Sequence, residues 1–198
     1  MSLELFNSLA TFGTFLVIAA TAIAALFQLR HARSANLIEA YNEVREMFLS
    51  EDYRDAQHFV VTDLWKNWQD PAFRYQFGRR DARTPENQVL IGKINTVGNT
   101  FEQAGLMTKR GLVDREMIVD AFGGLAITAW TILLPVTAAG RRAFGEGIWE
   151  NFEYFVVLSQ DWVAAHSGGA YPRGIRRISV PDELREADEQ YAAALATA

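Results

Sequence analysis

No charged residue occurs from Phe6 to Leu29, a run of 24 positions, and Arg30, His31 and Arg33 follow at once. A hydrocarbon core about 30 Å thick is crossed by roughly 20 helical residues, so the run predicts a transmembrane helix with some tilt. A cleavable signal peptide is the competing reading. It requires a basic start, an apolar core of about 7–15 residues and a small-residue cleavage site. Here Met1 to Asn7 holds no Lys or Arg and includes Glu4, and the basic residues come after the run. The pattern favours a retained anchor over residues 1–29. All 19 Lys and Arg residues lie beyond it, so the positive-inside tendency puts the N-terminus outside and residues 30–198 on the cytoplasmic side of the inner membrane.

The helical period continues past the anchor. No Gly or Pro occurs from Gln28 to Leu49, and Leu37, Tyr41, Val44 and Phe48 form an apolar stripe. The anchor is therefore read as continuing into a cytosolic helix that packs on a domain. A second helix is expected over Asp52 to Trp68, anchored by Phe59, Leu64, Trp65 and Trp68, and a loop over Gln69 to Arg83. Thr84-Pro85 opens a third helix, since Thr caps and Pro fits the first helical position. Its stripe is Leu90, Ile94, Val97, Phe101 and Ala104, with Gly105 as the expected stop. Asp114 caps a fourth helix.

Within that fourth helix, Ala121 to Gly140 is another uncharged run of 20 residues. It fits either a second span or a central core helix. Gly123-Gly124 and Pro135 interrupt it, and a second crossing would put Arg141 and Arg142 outside, against the charge rule. The core reading is favoured. Gly145 to His166 reads as a fifth helix with Ile148, Phe152, Phe155 and Trp162 on one face, and a last helix starts near Pro181. No segment alternates as a strand would. The prediction is an all-α protein: an N-terminal transmembrane helix running into a helical bundle of about five to six helices, in segments 1–29, 30–166 and 167–198.

Composition narrows the chemistry. With no cysteine there is no disulfide, thiolate nucleophile or Cys-based metal site. A net charge of −5 argues against a nucleic-acid partner, for which a basic footprint is expected. A di-iron helical site needs Glu-x-x-His on two helices, and the nearest approach is a single Asp55/His58 pair, so neither metal nor cofactor is expected. No phosphate-loop, nucleophile-elbow or kinase motif is present.

Two carboxylates sit beside core aromatics, Glu102 after Phe101 and Glu153 after Phe152. Burial could raise their pKa for acid/base work. The favoured reading is that each ties helices together through Arg or backbone N–H groups. Arg30, His31 and Arg33 form an interfacial collar. Arg173, Arg176 and Arg177 either face anionic headgroups or make a solvated face, whereas Arg79-Arg80 with Arg83, and Arg141-Arg142, are read as solvated. In the anchor, the small residues Ala10/Thr14, Ala20/Ala24 and Thr21/Ala25, four apart, would admit close approach of another membrane helix.

The anchor running into Gln28-Leu29-Arg30, then Phe101-Glu102-Gln103-Ala104-Gly105-Leu106, Lys109-Arg110-Gly111-Leu112-Val113-Asp114, Trp130 with Pro135, and Asn151-Phe152-Glu153-Tyr154 resembles a bacterial family of small membrane-anchored helical proteins with a domain of unknown function. The resemblance covers roughly residues 10–165 and supports the core reading of Ala121 to Gly140. It implies no activity, cofactor or catalytic residue. The leading expectation is a non-enzymatic accessory or scaffolding subunit of a membrane complex. Its partners would be the lipid bilayer and another membrane protein or further copies of itself. The alternatives are a ligand-responsive effector that oligomerises through its anchor, and a carboxylate-based enzyme using Glu102, Glu153, Asp55 and His58.

Overall fold

The computed structural model describes residues 3–166, 169–172 and 174–196, without the side chains of residues 3–6, 8–10, 34 and 196. Eight α-helices, one 3₁₀ turn and no strand make up the described residues. They fall into two compact units, Met1–Ser167 and Gly168–Ala198.

Helix α1 spans Leu3–Leu49 as 47 unbroken residues, which at 1.5 Å per residue is about 70 Å. Its described apolar side chains are not packed into the bundle: Phe12, Phe15, Leu16, Val17, Ile18, Ile23, Leu26 and Phe27 are all more than half exposed. Its C-terminal half behaves differently. Val44 and Phe48 are buried and Leu37 and Tyr41 half-buried, so the predicted stripe is the face that meets the bundle. Phe48 stacks on Phe122 at 4.4 Å and Tyr41 lies 6.3 Å from the same ring.

The bundle follows: α2 Glu51–Thr62, α3 Leu64–Trp68, α4 Pro71–Gly78, a 3₁₀ turn Arg80–Ala82, α5 Pro85–Lys109, α6 Arg115–Phe144 and α7 Glu150–Ala165. Caps set most of the starts. Ser50 Oγ accepts from Tyr53 N, Thr84 Oγ1 from Asn87 N, and Asp114 Oδ1 from Met117 N. The segment expected as a loop at 69–83 is mostly helical, because Asp70 caps Ala72 N at 2.8 Å and Pro71 occupies the first position. The helix expected over Asp52 to Trp68 divides at Asp63, and Trp65 faces outward at 66% exposure.

Gly105 does not stop α5. The helix ends four residues later, where Gly111 takes φ 66°. Leu112 N donates to Met107 O and Gly111 N to Thr108 O, both at 3.0 Å, the paired bonds of a Schellman stop. Gly105 is instead buried where α7 begins. A Cβ there would overlap the Asn151 carbonyl. A Cβ at Gly98, two turns earlier on the same helix, would overlap the Trp149 ring, and one at Gly123 of α6 would lie 3.0 Å from Ser159 Oγ. Small residues thus let α5, α6 and α7 approach closely.

Helix α6 passes through Gly123-Gly124 and Pro135 in one piece, and it is not apolar-buried all round. Ile118, Val119, Phe122, Ala126, Leu133 and Val136 are core. Gly124, Leu125, Thr128, Thr131, Leu134 and Ala138 face outward as an uncharged stripe. Among the described residues it is one of two helices long and apolar enough to cross a membrane, and a third of its apolar window is buried in the bundle. An aromatic line runs through the centre. Phe48 lies 5.0 Å from Phe101, which stacks on Phe152 at 4.7 Å, which meets Trp130 edge-on at 5.0 Å. Such ring pairs add about 0.5–1.5 kcal/mol each beyond area burial.

In the second unit, α8 spans Arg185–Ala196 after a coil segment, and Arg185 pairs with Glu189 one turn on.

Candidate functional site

The residues expected at the membrane lie along α1. Arg30, His31 and Arg33 are exposed directly after the apolar stretch, where a collar at the bilayer surface would sit. Ala20, Ala24 and Ala25 are exposed on the same helix, as are Thr14 and Thr21, and the Thr21 hydroxyl donates to Val17 O at 2.8 Å. The Ala10 side chain and Arg173 lie outside the described residues. Arg176 and Arg177 are exposed in the second unit, with the Arg177 guanidinium 4.9 Å from the Tyr171 ring centre.

Asp55 is held by Lys93 at 2.9 Å, and no group of three or more His, Asp or Glu suited to a metal occurs among the described residues. Glu102 and Glu153 do not form a pair. Glu153 is not buried: its side chain is 49% exposed, on the outer side of α7, where Arg141 meets it. Glu102 is half-buried and closes the start of α7. Its carboxylate accepts from Asn151 N at 3.0 Å, Phe152 N at 2.9 Å and Asn151 Nδ2 at 2.7 Å. A helix N-terminus presents unpaired N–H groups and partial positive charge, so a carboxylate from α5 is the fitting clasp. Replacing Glu102 with alanine is expected to cost about 1–3 kcal/mol, since two backbone donors lose their partner. Thermal unfolding of the Glu102→Ala and Glu102→Gln variants checks this, and a Gln variant as weak as Ala would refute the charge component.

The approach to this clasp is strained. Trp149 sits at φ 55°, ψ 39°, the left-handed region, and is the only described non-glycine residue with positive φ. Such a position costs about 1–3 kcal/mol unless its surroundings fix it. Here they do: the ring is 6% exposed, lies over Gly98, and donates Nε1–H to Asn99 Oδ1 at 3.1 Å. Because indole nitrogen only donates, the Asn99 oxygen must face it, which leaves the Asn99 NH₂ group as a donor.

Beside Trp149 opens a cleft of about 420 Å³, within the size range of small-ligand sites. Arg80 and Arg83 come from the 3₁₀ turn and the residue after it, Asn95 and Asn99 from α5, Phe144 from the end of α6, and Ile148 from the following turn. Arg83 donates to Gln76 O at 3.1 Å and Phe77 O at 2.9 Å, holding the end of α4. Burial, and the neighbouring Arg80 charge, lower its pKa. Arg80 lies over the Phe144 ring at 5.7 Å. Neither arginine pairs with a carboxylate among the described residues. Sequence reading passed over this cleft. It took Arg80 and Arg83 as a solvated face and left Trp149 and Asn95 unmarked.

No curated protein and no solved structure matches the chain. A family model does, over residues 15–159, from within the apolar half of α1 to near the end of α7. That span takes in the clasp, the strained tryptophan and the cleft, and it leaves out the second unit. The chain belongs to the family described as the domain of unknown function DUF4760.

Proposed function

We propose that this protein is a single-pass membrane protein whose helical domain stands at the cytoplasmic face as an accessory or scaffolding subunit of a membrane complex. The observation that carries the reading is α1, whose large apolar side chains from Phe12 to Phe27 are exposed while its other half is built into the bundle. Soluble monomers rarely expose apolar patches beyond a few hundred Å². A bilayer covers such a helix, and the collar of Arg30, His31 and Arg33 fits its cytoplasmic edge. The outward stripe of α6 and the Ala20/Ala24 and Thr21/Ala25 pairs are the surfaces for a companion helix. Glu102 and Glu153 are each engaged between helices, which supports a structural part for these two carboxylates.

Absence of cysteine makes the topology directly measurable. In intact cells, an impermeant maleimide is expected to label Asn7→Cys, and to label Gln160→Cys only after the membrane is opened. The opposite pattern would reverse the orientation, and release of the protein by alkaline carbonate would remove the anchor altogether. For the accessory role, gentle extraction into nanodiscs is expected to retain a stoichiometric membrane-protein companion. A monomer with no companion, and no cross-link from Ala24→Cys in the native membrane, would overturn it.

A further inference from the structure

We propose that the cleft beside Trp149 binds a small organic anion: a phosphate or carboxylate group gripped by Arg80 and Arg83, joined to a flat ring that lies against Phe144 and Trp149. The inference does not rest on the membrane reading. Two guanidinium groups from neighbouring positions line one cleft with no carboxylate to balance them among the described residues. Holding the end of α4 occupies two of the five N–H groups of Arg83 and none of Arg80. The rest form the planar, forked donor set that suits phosphate and carboxylate oxygens. Asn99 adds its NH₂ group, fixed by the indole bond, and Asn95 adds an amide with no side-chain hydrogen-bond partner among the described residues. Phe77, Phe144, Ile148 and Trp149 line the same cleft with apolar and aromatic surface. A bare inorganic anion would leave them unused, whereas a ring joined to the anion covers both halves. Convergent polar groups within an apolar cleft of this volume are the usual form of a small-molecule site. The left-handed Trp149 adds a local reason, since stored backbone strain gathers at ligand sites.

The test uses the full-length protein in phosphatidylcholine nanodiscs, with adenosine monophosphate, phenyl phosphate and indole-3-acetate as calorimetric probes. At least one is expected to bind saturably with Kd below about 1 mM and about tenfold more tightly than inorganic phosphate. Arg80→Gln and Arg83→Gln are each expected to weaken it about tenfold, the loss of one charged hydrogen-bonding group. Arg79→Gln, which removes an arginine lying over Tyr75 outside the cleft, is expected to leave it unchanged. Arg80 is exposed and bonds to no backbone group, so its variant separates binding from folding even if Arg83→Gln loosens α4. Competition from phosphatidic acid added to the nanodisc, lost in Arg80→Gln, would assign the same grip to a lipid headgroup. Its absence would assign it to a soluble compound. The proposal fails if none of the three probes binds more tightly than inorganic phosphate, or if binding survives intact in the Arg80→Gln/Arg83→Gln double variant.

Discussion

Gly105→Ala is expected to lower the stability of the protein by about 3 kcal/mol or more, at or above the upper end of ordinary overpacking. The added methyl would overlap the backbone carbonyl of Asn151, and a carbonyl cannot rotate aside as a side chain can. Either α5 and α7 separate or α7 shifts along its axis. Both outcomes pull Asn151 and Phe152 away from the Glu102 carboxylate, so the clasp weakens with the packing. For a chain of this size the loss corresponds to a fall of about 6–12 °C in Tm. Gly92→Ala is the matched comparison. Gly92 lies on the same helix with nothing within 4 Å of the added methyl, and there the usual helix preference for alanine should raise stability by about 0.5–1 kcal/mol. Tryptophan fluorescence during thermal unfolding reads both. Equal behaviour of the two variants would show that α5 and α7 do not approach this closely.

Phe152→Ala is expected to cost about 3–5 kcal/mol, a large share of the 5–15 kcal/mol that holds a typical domain folded. Phe152 is fully buried, stacked on Phe101 with 9° between the ring planes, and met edge-on by Trp130 and Trp149. It therefore joins α5, α6 and the α7 entrance at one point. Truncation leaves a ring-sized cavity whose walls are themselves rings, and these collapse poorly. The Phe101→Ala/Phe152→Ala double variant is expected to cost less than the two single changes together, because the second truncation removes a ring that has already lost its stacking partner. Strict additivity would mean that the stacked pair contributes nothing beyond its area.

Much of the architecture was legible because helices advertise themselves locally. The uncharged run of α1, its continuation through Val44 and Phe48, the Thr84-Pro85 start and the Asp114 cap each carry their cause within a few residues. Asp70-Pro71 carries the same cap-then-proline signal as Thr84-Pro85, but within a mixed segment Pro71 and Gly78 read as interruptions instead. Gly105 and Gly111 show the other kind of miss. A glycine can be required by a positive φ or by a close neighbour, and sequence alone does not distinguish the two. The basic Lys109-Arg110 turn before Gly111 was the available clue to the true stop. The roles of Glu102 and Glu153 as ties were readable, since a carboxylate beside a core aromatic must find a donor, but the exposure of Glu153 was not. The cleft was beyond reach for a different reason. Arg80, Asn99 and the Phe144–Trp149 turn come from three separate stretches of chain, and no periodicity links them. Trp149 in particular gains its meaning from Gly98, a position about fifty residues earlier.

The absence of any break in α1 has a mechanical consequence. A domain joined to a bilayer by a pliable tether samples many headings, and whatever happens in the membrane reaches it as noise. If the apolar half of α1 sits in a bilayer as proposed, that segment and the stripe gripped by Phe122 share one stiff rod, so roll and tilt at one end are imposed on the other. The compass bearing of the cleft about the membrane normal would then be fixed by helical phase. Each residue added or removed between the collar and Leu37 would swing it by about 100° while lifting it only about 1.5 Å.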